Sequence, residues 1–172
     1  SQEKGSELSR STSRLGGTDQ LILIRGWGRT RPLLPFLHGW PGFPEMPFAH
    51  LNAALEKDFV VVHWDQRGAG KSYPAPDDSL DVEQFISDTR ELSALLLKRF
   101  GAHKLFLVGH SWGALLGALT AARDPDKYFA YVGIRQFADA PESERMMYRF
   151  ALEPAEKSSN ARAAQAGRRR GR

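Results

Sequence analysis

The 172-residue chain contains no cysteine. That excludes a disulfide framework, a thiolate metal site and a thiol nucleophile, and it fits a cytoplasmic protein. No apolar run approaches the roughly 20 residues needed to cross a bilayer, and Ser1 to Arg14 lacks the apolar core of a secretory signal. Acidic residues are missing from the last twelve positions, "ARAAQAGRRRGR", which carry five arginines; taking these away turns the formal charge of +4 into −1. The basic balance therefore belongs to a terminal segment. That segment has no interleaved aromatics, so neither a nucleic acid nor a membrane is expected as a partner. Histidine is scarce where it matters. All five (His38, His50, His63, His103 and His110) precede position 111.

What is present alternates between strand-like and helix-like patterns. "LILIR" (21–25), "LLPFLHG" (33–39), "FVVVHW" (59–64), "KLFLVG" (104–109) and "YFAYVGI" (128–134) read as strands. Pro35 is awkward inside its strand, because it cannot donate a ladder hydrogen bond. Asp81 with Gln84 forms a capping-box-like start, and Val82, Phe85, Ile86, Leu92, Leu96 and Phe100 recur at helical spacing up to Gly101. "WGALLGALTAAR" (112–123) predicts a second helix. Strands alternating with helices predict an α/β class with a mainly parallel sheet. The expected organisation is a disordered polar tail over 1–16, a core over 17–136, charged helical material over 137–160 and a basic tail over 161–172.

The chemistry points to Gly109-His110-Ser111-Trp112-Gly113. A Gly-x-Ser-x-Gly between a predicted strand and a predicted helix lifts the serine on a tight turn above the sheet, with the next backbone N–H aimed at a developing oxyanion. Ser111 is the candidate nucleophile and the Trp112 N–H a candidate oxyanion donor. His110 is expected to pack beside the turn, since adjacent side chains diverge there. "HGWPGFPEM" (38–46) follows a strand and offers the Trp40 N–H as a second donor. Gly70-Lys71-Ser72 imitates the end of a phosphate-binding loop, but that motif needs glycine at position 65, which is aspartate. Pro74 and Pro76 also forbid the helix that must follow. Asp65 and Arg67 are expected to tie their loop together, and no cofactor or metal is called for.

"FLHGWPGFPEMPF", "VVHWDQRGAGKSY" and "VGHSWGALLG", in this order and spacing, resemble the α/β-hydrolase superfamily, and within it the proline iminopeptidase (prolyl aminopeptidase) branch. The resemblance covers about residues 16–160. It implies an α/β-hydrolase fold, incomplete at the C-terminus, with 137–160 as the start of a helical cap. It implies Ser111 as nucleophile and the N–H groups of Trp40 and Trp112 as the oxyanion hole. "HGWPG" occurs instead in epoxide-hydrolase-like relatives, which place an aspartate where this chain has Ser111.

In this superfamily the acid and then the histidine follow the serine. No histidine does so here, and Asp139 is the weak candidate for the acid. Two functions follow. One is a serine hydrolase acting on a small peptide, amide or ester through an acyl-enzyme, with an N-terminal proline peptide as the leading substrate. The other is a truncated, catalytically incomplete chain that only binds. Missing neighbours of the strand at 128–134 would also leave an exposed sheet edge, a route to self-association.

Overall fold

The computed structural model describes residues 6–39, 42–76 and 80–136, together with 139, 141–143, 145, 146 and 149. The chain divides into two units, Ser1–Gln136 and Phe137–Arg172. The first holds a six-stranded sheet built from β1 (Ser6–Leu15), β2 (Thr18–Gly26), β3 (Leu33–Leu37), β4 (Val60–Trp64), β5 (Leu105–His110) and β6 (Tyr128–Ile134), in the order β1-β2-β4-β3-β5-β6. The pairings β4–β3, β3–β5 and β5–β6 are parallel, while β1–β2 and β2–β4 are antiparallel. Two helices, α1 (Val82–Phe100) and α2 (Trp112–Arg123), follow the α/β alternation.

Residues 6–15 do not belong to a disordered tail, as their polar composition implies. They form β1, paired along its length with β2 through a turn at Gly16 and Gly17, both at positive φ (51° and 79°). A two-residue Gly-Gly loop matches the twist of a hairpin. Leu15 at the end of β1 is buried in the main core and Leu8 packs against it, which explains how a serine-rich strand is held.

The period-2 alternation of the strands sorts side chains to two faces. Ile22, Ile24, Val60, Val62, Leu105 and Leu107 face α1 and α2, meeting Phe85, Ile86, Leu92, Leu96 and Leu116. Leu34, Val61 and Val108 face the other way, against Phe36, Leu55, Phe59 and Phe106. A 3₁₀ segment, Met46–Lys57, supplies Leu55. α1 begins and ends on local chemistry: the Asp81 carboxylate accepts from the Gln84 N–H at 2.7 Å, and Gly101 closes the helix at φ 63°. Pro35 sits in a central strand. Pairing of β3 with β5 is confined to Phe36 and Leu37, just beyond the missing donor.

Arg67 and Asp88 make a polar contact inside the core. Both side chains are fully buried, and the guanidinium donates twice to the carboxylate, at 2.7 and 2.8 Å. Gln20 donates to the same carboxylate and accepts from the Trp64 indole, while Arg67 also donates to the Gly16 carbonyl. One ion pair thus joins the β1–β2 turn, the loop after β4 and α1. At the far edge, β6 pairs only with β5 among the described residues, and Phe129, Val132 and Ile134 are exposed.

His63, buried on β4 and stacked on Phe36, leaves its Nε2 without a hydrogen bond among the described residues. Burial, with the charge of Arg25 adding to it and that of Glu45 opposing, pushes its pKa from 6.5 down to about 4. The unfolded chain takes up a proton that the folded one refuses. Stability should therefore fall by about 3 kcal/mol as pH drops through this window from neutral to about 4. Urea unfolding across that range measures the loss, and His63→Phe should flatten the profile relative to the parent. Parallel profiles would assign the acid sensitivity to other groups.

Candidate active site

β5 passes into α2 through a single residue, Ser111, whose backbone lies at φ 53° and ψ −113°. Positive φ strains a residue with a side chain. The neighbouring bonds hold it there. The Ser111 N–H donates to the Ile134 carbonyl at 2.8 Å, and the Ser111 carbonyl accepts from Ala114 and Leu115 at 2.9 and 3.2 Å. Ser111 is therefore the residue that caps α2, at the carboxyl end of a parallel strand. Among the described residues, neither its hydroxyl nor the Trp112 N–H makes a hydrogen bond. The first donors of a helix have no partner within it, so the Trp112 N–H is available to an anion.

The flanking glycines are dictated by packing. A Cβ on Gly113 would run into the carbonyls of Leu37 and His38, and one on Gly109 into the backbone of Gly113 and Ala114. Gly117 admits the Tyr131 ring, whose hydroxyl donates to the Ala114 carbonyl at 2.6 Å. The loop after β3 comes equally close: a Cβ on Gly39 would lie 3.1 Å from His110 Nδ1 and 3.3 Å from Ser111 Cβ. Trp40 itself lies outside the described residues.

Contacts distant in sequence hold that loop. His110 packs beside the turn with its Nδ1 2.8 Å from Glu45 Oε1, which also accepts from the Gly39 N–H at 3.3 Å. Glu45 thus links the loop to the elbow. His38 is buried with both ring nitrogens engaged, Nδ1 with the Gly39 carbonyl at 2.9 Å and Nε2 with the Gln66 N–H at 3.1 Å. That pattern fits a proton on Nδ1 and an accepting Nε2. Gln66 donates back to the His38 carbonyl and accepts from the Trp112 indole at 3.1 Å. It connects the loops after β3, β4 and β5. Neither Glu45 nor Gln66 stands out in the sequence, because their partners lie 65 and 46 residues away.

The remaining residues singled out in the sequence are engaged elsewhere. Asp65 Oδ2 accepts from the Lys71 N–H, and burial pushes its carboxyl above the ordinary range while that bond pulls it down. Ser72, the end of the false phosphate-binding motif, donates to the Asp65 carbonyl and accepts from the Leu21 N–H. Asp139 belongs to the second unit, where its Oδ1 accepts from the Glu142 N–H at 2.9 Å, capping a helical turn. A groove of about 350 Å³ opens where His110 and Ile134 meet Phe36, Phe43, Glu45 and Phe48.

Gly113→Ala should destabilise the protein by about 2–4 kcal/mol, since the new methyl group meets backbone on another strand and cannot rotate away. Gly17→Ala, where the space is open, should cost only the strain of its positive φ. Urea midpoints of the two variants test this; equal losses would show that the elbow is not closely packed.

The chain is similar in sequence to curated relatives over part of their length. The probable aminopeptidase YbaC of Bacillus subtilis is 38% identical over 157 residues, covering 90% of this chain and 49% of that protein. The proline iminopeptidase of Lactobacillus helveticus is 32% identical over 104 residues, covering 60% and 35%. Epoxide hydrolase 4 of Mus musculus is 32% identical over 99 residues, covering 57% and 26%. Among solved structures, an epoxide hydrolase variant from Vigna radiata superposes with a TM-score of 0.66 at 27% identity, covering 84% of this chain and 46% of that one. The chain thus spans about half or less of the length of these relatives. The family model described as "alpha/beta hydrolase fold" matches residues 32–172, and with the strand–serine–helix elbow in place, the chain belongs to the α/β-hydrolase family.

Proposed function

We propose that Ser111 is the nucleophile of a serine hydrolase that cleaves an amide or ester through an acyl-enzyme, with peptides bearing an N-terminal proline as the leading substrates. The observation that carries this reading is the Ser111 backbone at φ 53°, followed by a Trp112 N–H that is unengaged among the described residues. The Ser111 oxygen would attack the substrate carbonyl as a base removes its proton. The developing oxyanion would be held by the Trp112 N–H and, from the loop that Glu45 fastens, by the Trp40 N–H. Water would then release the acyl group. The groove beside His110 would receive an apolar part of the substrate.

Relatives named aminopeptidase and proline iminopeptidase support the peptide substrate. The epoxide hydrolases among the relatives favour a second reaction, but a serine hydroxyl at the elbow supports acyl transfer over opening of an epoxide by a carboxylate. The base is not one of the groups bonded to Ser111 among the described residues, and no histidine follows it in the chain. Asp139 is the candidate acid carried here, with one oxygen already used as a cap.

A serine hydroxyl is a poor nucleophile without a base. Losing the base in serine hydrolases costs on the order of a millionfold, or roughly 8 kcal/mol of barrier. The oxyanion donors alone supply about 10³–10⁴ over water. Assayed as it stands, the 172-residue chain should therefore turn over a proline arylamide and a short acyl ester only faintly, without the pH inflection of a catalytic histidine, and Ser111→Ala should remove what remains. Ordinary enzyme rates in the parent would reveal a base among the five histidines present. Residual turnover unchanged in Ser111→Ala would overturn the assignment of the nucleophile.

We further propose that the exposed edge of β6 lets the chain self-associate. Sedimentation at rising concentration should show assembly that Val132→Lys suppresses. A clean monomer throughout would contradict it.

A further inference from the structure

At the opposite end of the sheet from Ser111, the entries of β3, β5 and β6 border a groove of about 420 Å³. The loop before β3 contributes Arg29 and Arg31, and the loop between α1 and β5 contributes His103 and Lys104. Phe100 and Phe129 add two aromatic rings, and among the described residues no aspartate or glutamate lines the groove.

The charge lining this groove is of one sign among the described residues. Arg14, Arg25, Arg67, Arg90, Arg123 and Lys127 each reach a carboxylate. Arg29, Arg31 and Lys104 reach none among the described residues. Part of the charge near Gly101 complements the partial negative charge at the C-terminus of α1. That does not account for Arg29 and Arg31, which another loop carries. Arg29 is held with its guanidinium 5.0 Å from the centre of the Phe100 ring, a cation–π contact between two residues that line the groove. The Phe129 ring, at the second residue of β6, stays 61% exposed.

We infer that this groove binds a phosphate-bearing small molecule with a flat ring, of the nucleoside diphosphate class. Guanidinium groups match phosphate oxygens two at a time, and Lys104 adds a point charge. The exposed aromatic surface takes the ring. The size of the groove suits such a ligand. β5 spans six residues, or about 20 Å, between this groove and Ser111, so the site is separate from the elbow and does not depend on the reading of Ser111.

The test titrates the folded chain with ADP, with adenosine and with inorganic pyrophosphate, and adds vesicles containing phosphatidic acid as a lipid source of the same headgroup charge. ADP should bind saturably with a Kd on the order of 0.1–1 mM, weaken with added salt and bind more tightly than pyrophosphate or adenosine. Arg31→Gln with Lys104→Gln should weaken it about tenfold or more, whereas Lys57→Gln, a charge outside the groove, should not. Circular dichroism melts of the variants separate lost binding from lost folding; should the double variant fail to fold, Arg29→Gln alone carries the test. No saturable ADP binding, equal binding by the charge-depleted variant, or capture by the vesicles alone would overturn the inference.

Discussion

Backbone packed directly on backbone is the constraint around which the rest of this site is arranged. Gly113 brings the start of α2 against the carbonyls of Leu37 and His38, and Gly109 lets the end of β5 pass under Gly113. With no side chain between them, β3, β5 and α2 reach their ends within a few ångströms of one another. The turn that connects β5 to α2 then has room for one residue only, and that residue must take a positive φ. Ser111 accepts this strain because three backbone hydrogen bonds fix its N–H and carbonyl. Among the described residues, the hydroxyl and the next N–H are what the packing leaves unsatisfied.

Around this contact the polar groups form two tiers. Near the elbow, Gln66 joins His38 to Trp112, and Glu45 joins Gly39 to His110. These bonds hold the loop of the proposed second oxyanion donor without using the Ser111 hydroxyl. Deeper, the Arg67–Asp88 pair holds α1, the loop after β4 and the β1–β2 turn together. Breaking such a fully buried pair on one side typically costs 3–5 kcal/mol. The same loop, residues 65–67, thus serves the site through Gln66 and the scaffold through Arg67. Asp65 closes the 65–72 segment through Lys71 and Ser72.

Much of the fold could be read in the sequence because its signals are local. The limits of α1 follow from Asp81 and Gly101, each acting within a turn of its own position. The elbow is legible because Gly109, Ser111 and Gly113 are confined to five residues between a strand pattern and a helix pattern. β1 was hidden for the opposite reason. Its serines and arginines have the composition of a disordered tail, and its stability comes from β2 and from Leu8 and Leu15 reaching the core. The Gly16-Gly17 pair was the available sign of a hairpin. His110 shows where local reading stops: the divergence of its side chain from Ser111 is a property of the turn, whereas its partner Glu45 is fixed by tertiary packing alone.

The central claim is that the Ser111 oxygen and the neighbouring backbone donors form a seat for a tetrahedral oxyanion. An arylboronic acid reports on this directly, because its boron becomes tetrahedral when a serine oxygen adds to it, mimicking the addition step of acyl transfer. Boron-11 NMR of the chain with such a compound should show a tetrahedral resonance that disappears in Ser111→Ala. Boron that stays trigonal in the parent, or a tetrahedral signal that persists in Ser111→Ala, would contradict the assignment of Ser111 and its donors as the reactive centre.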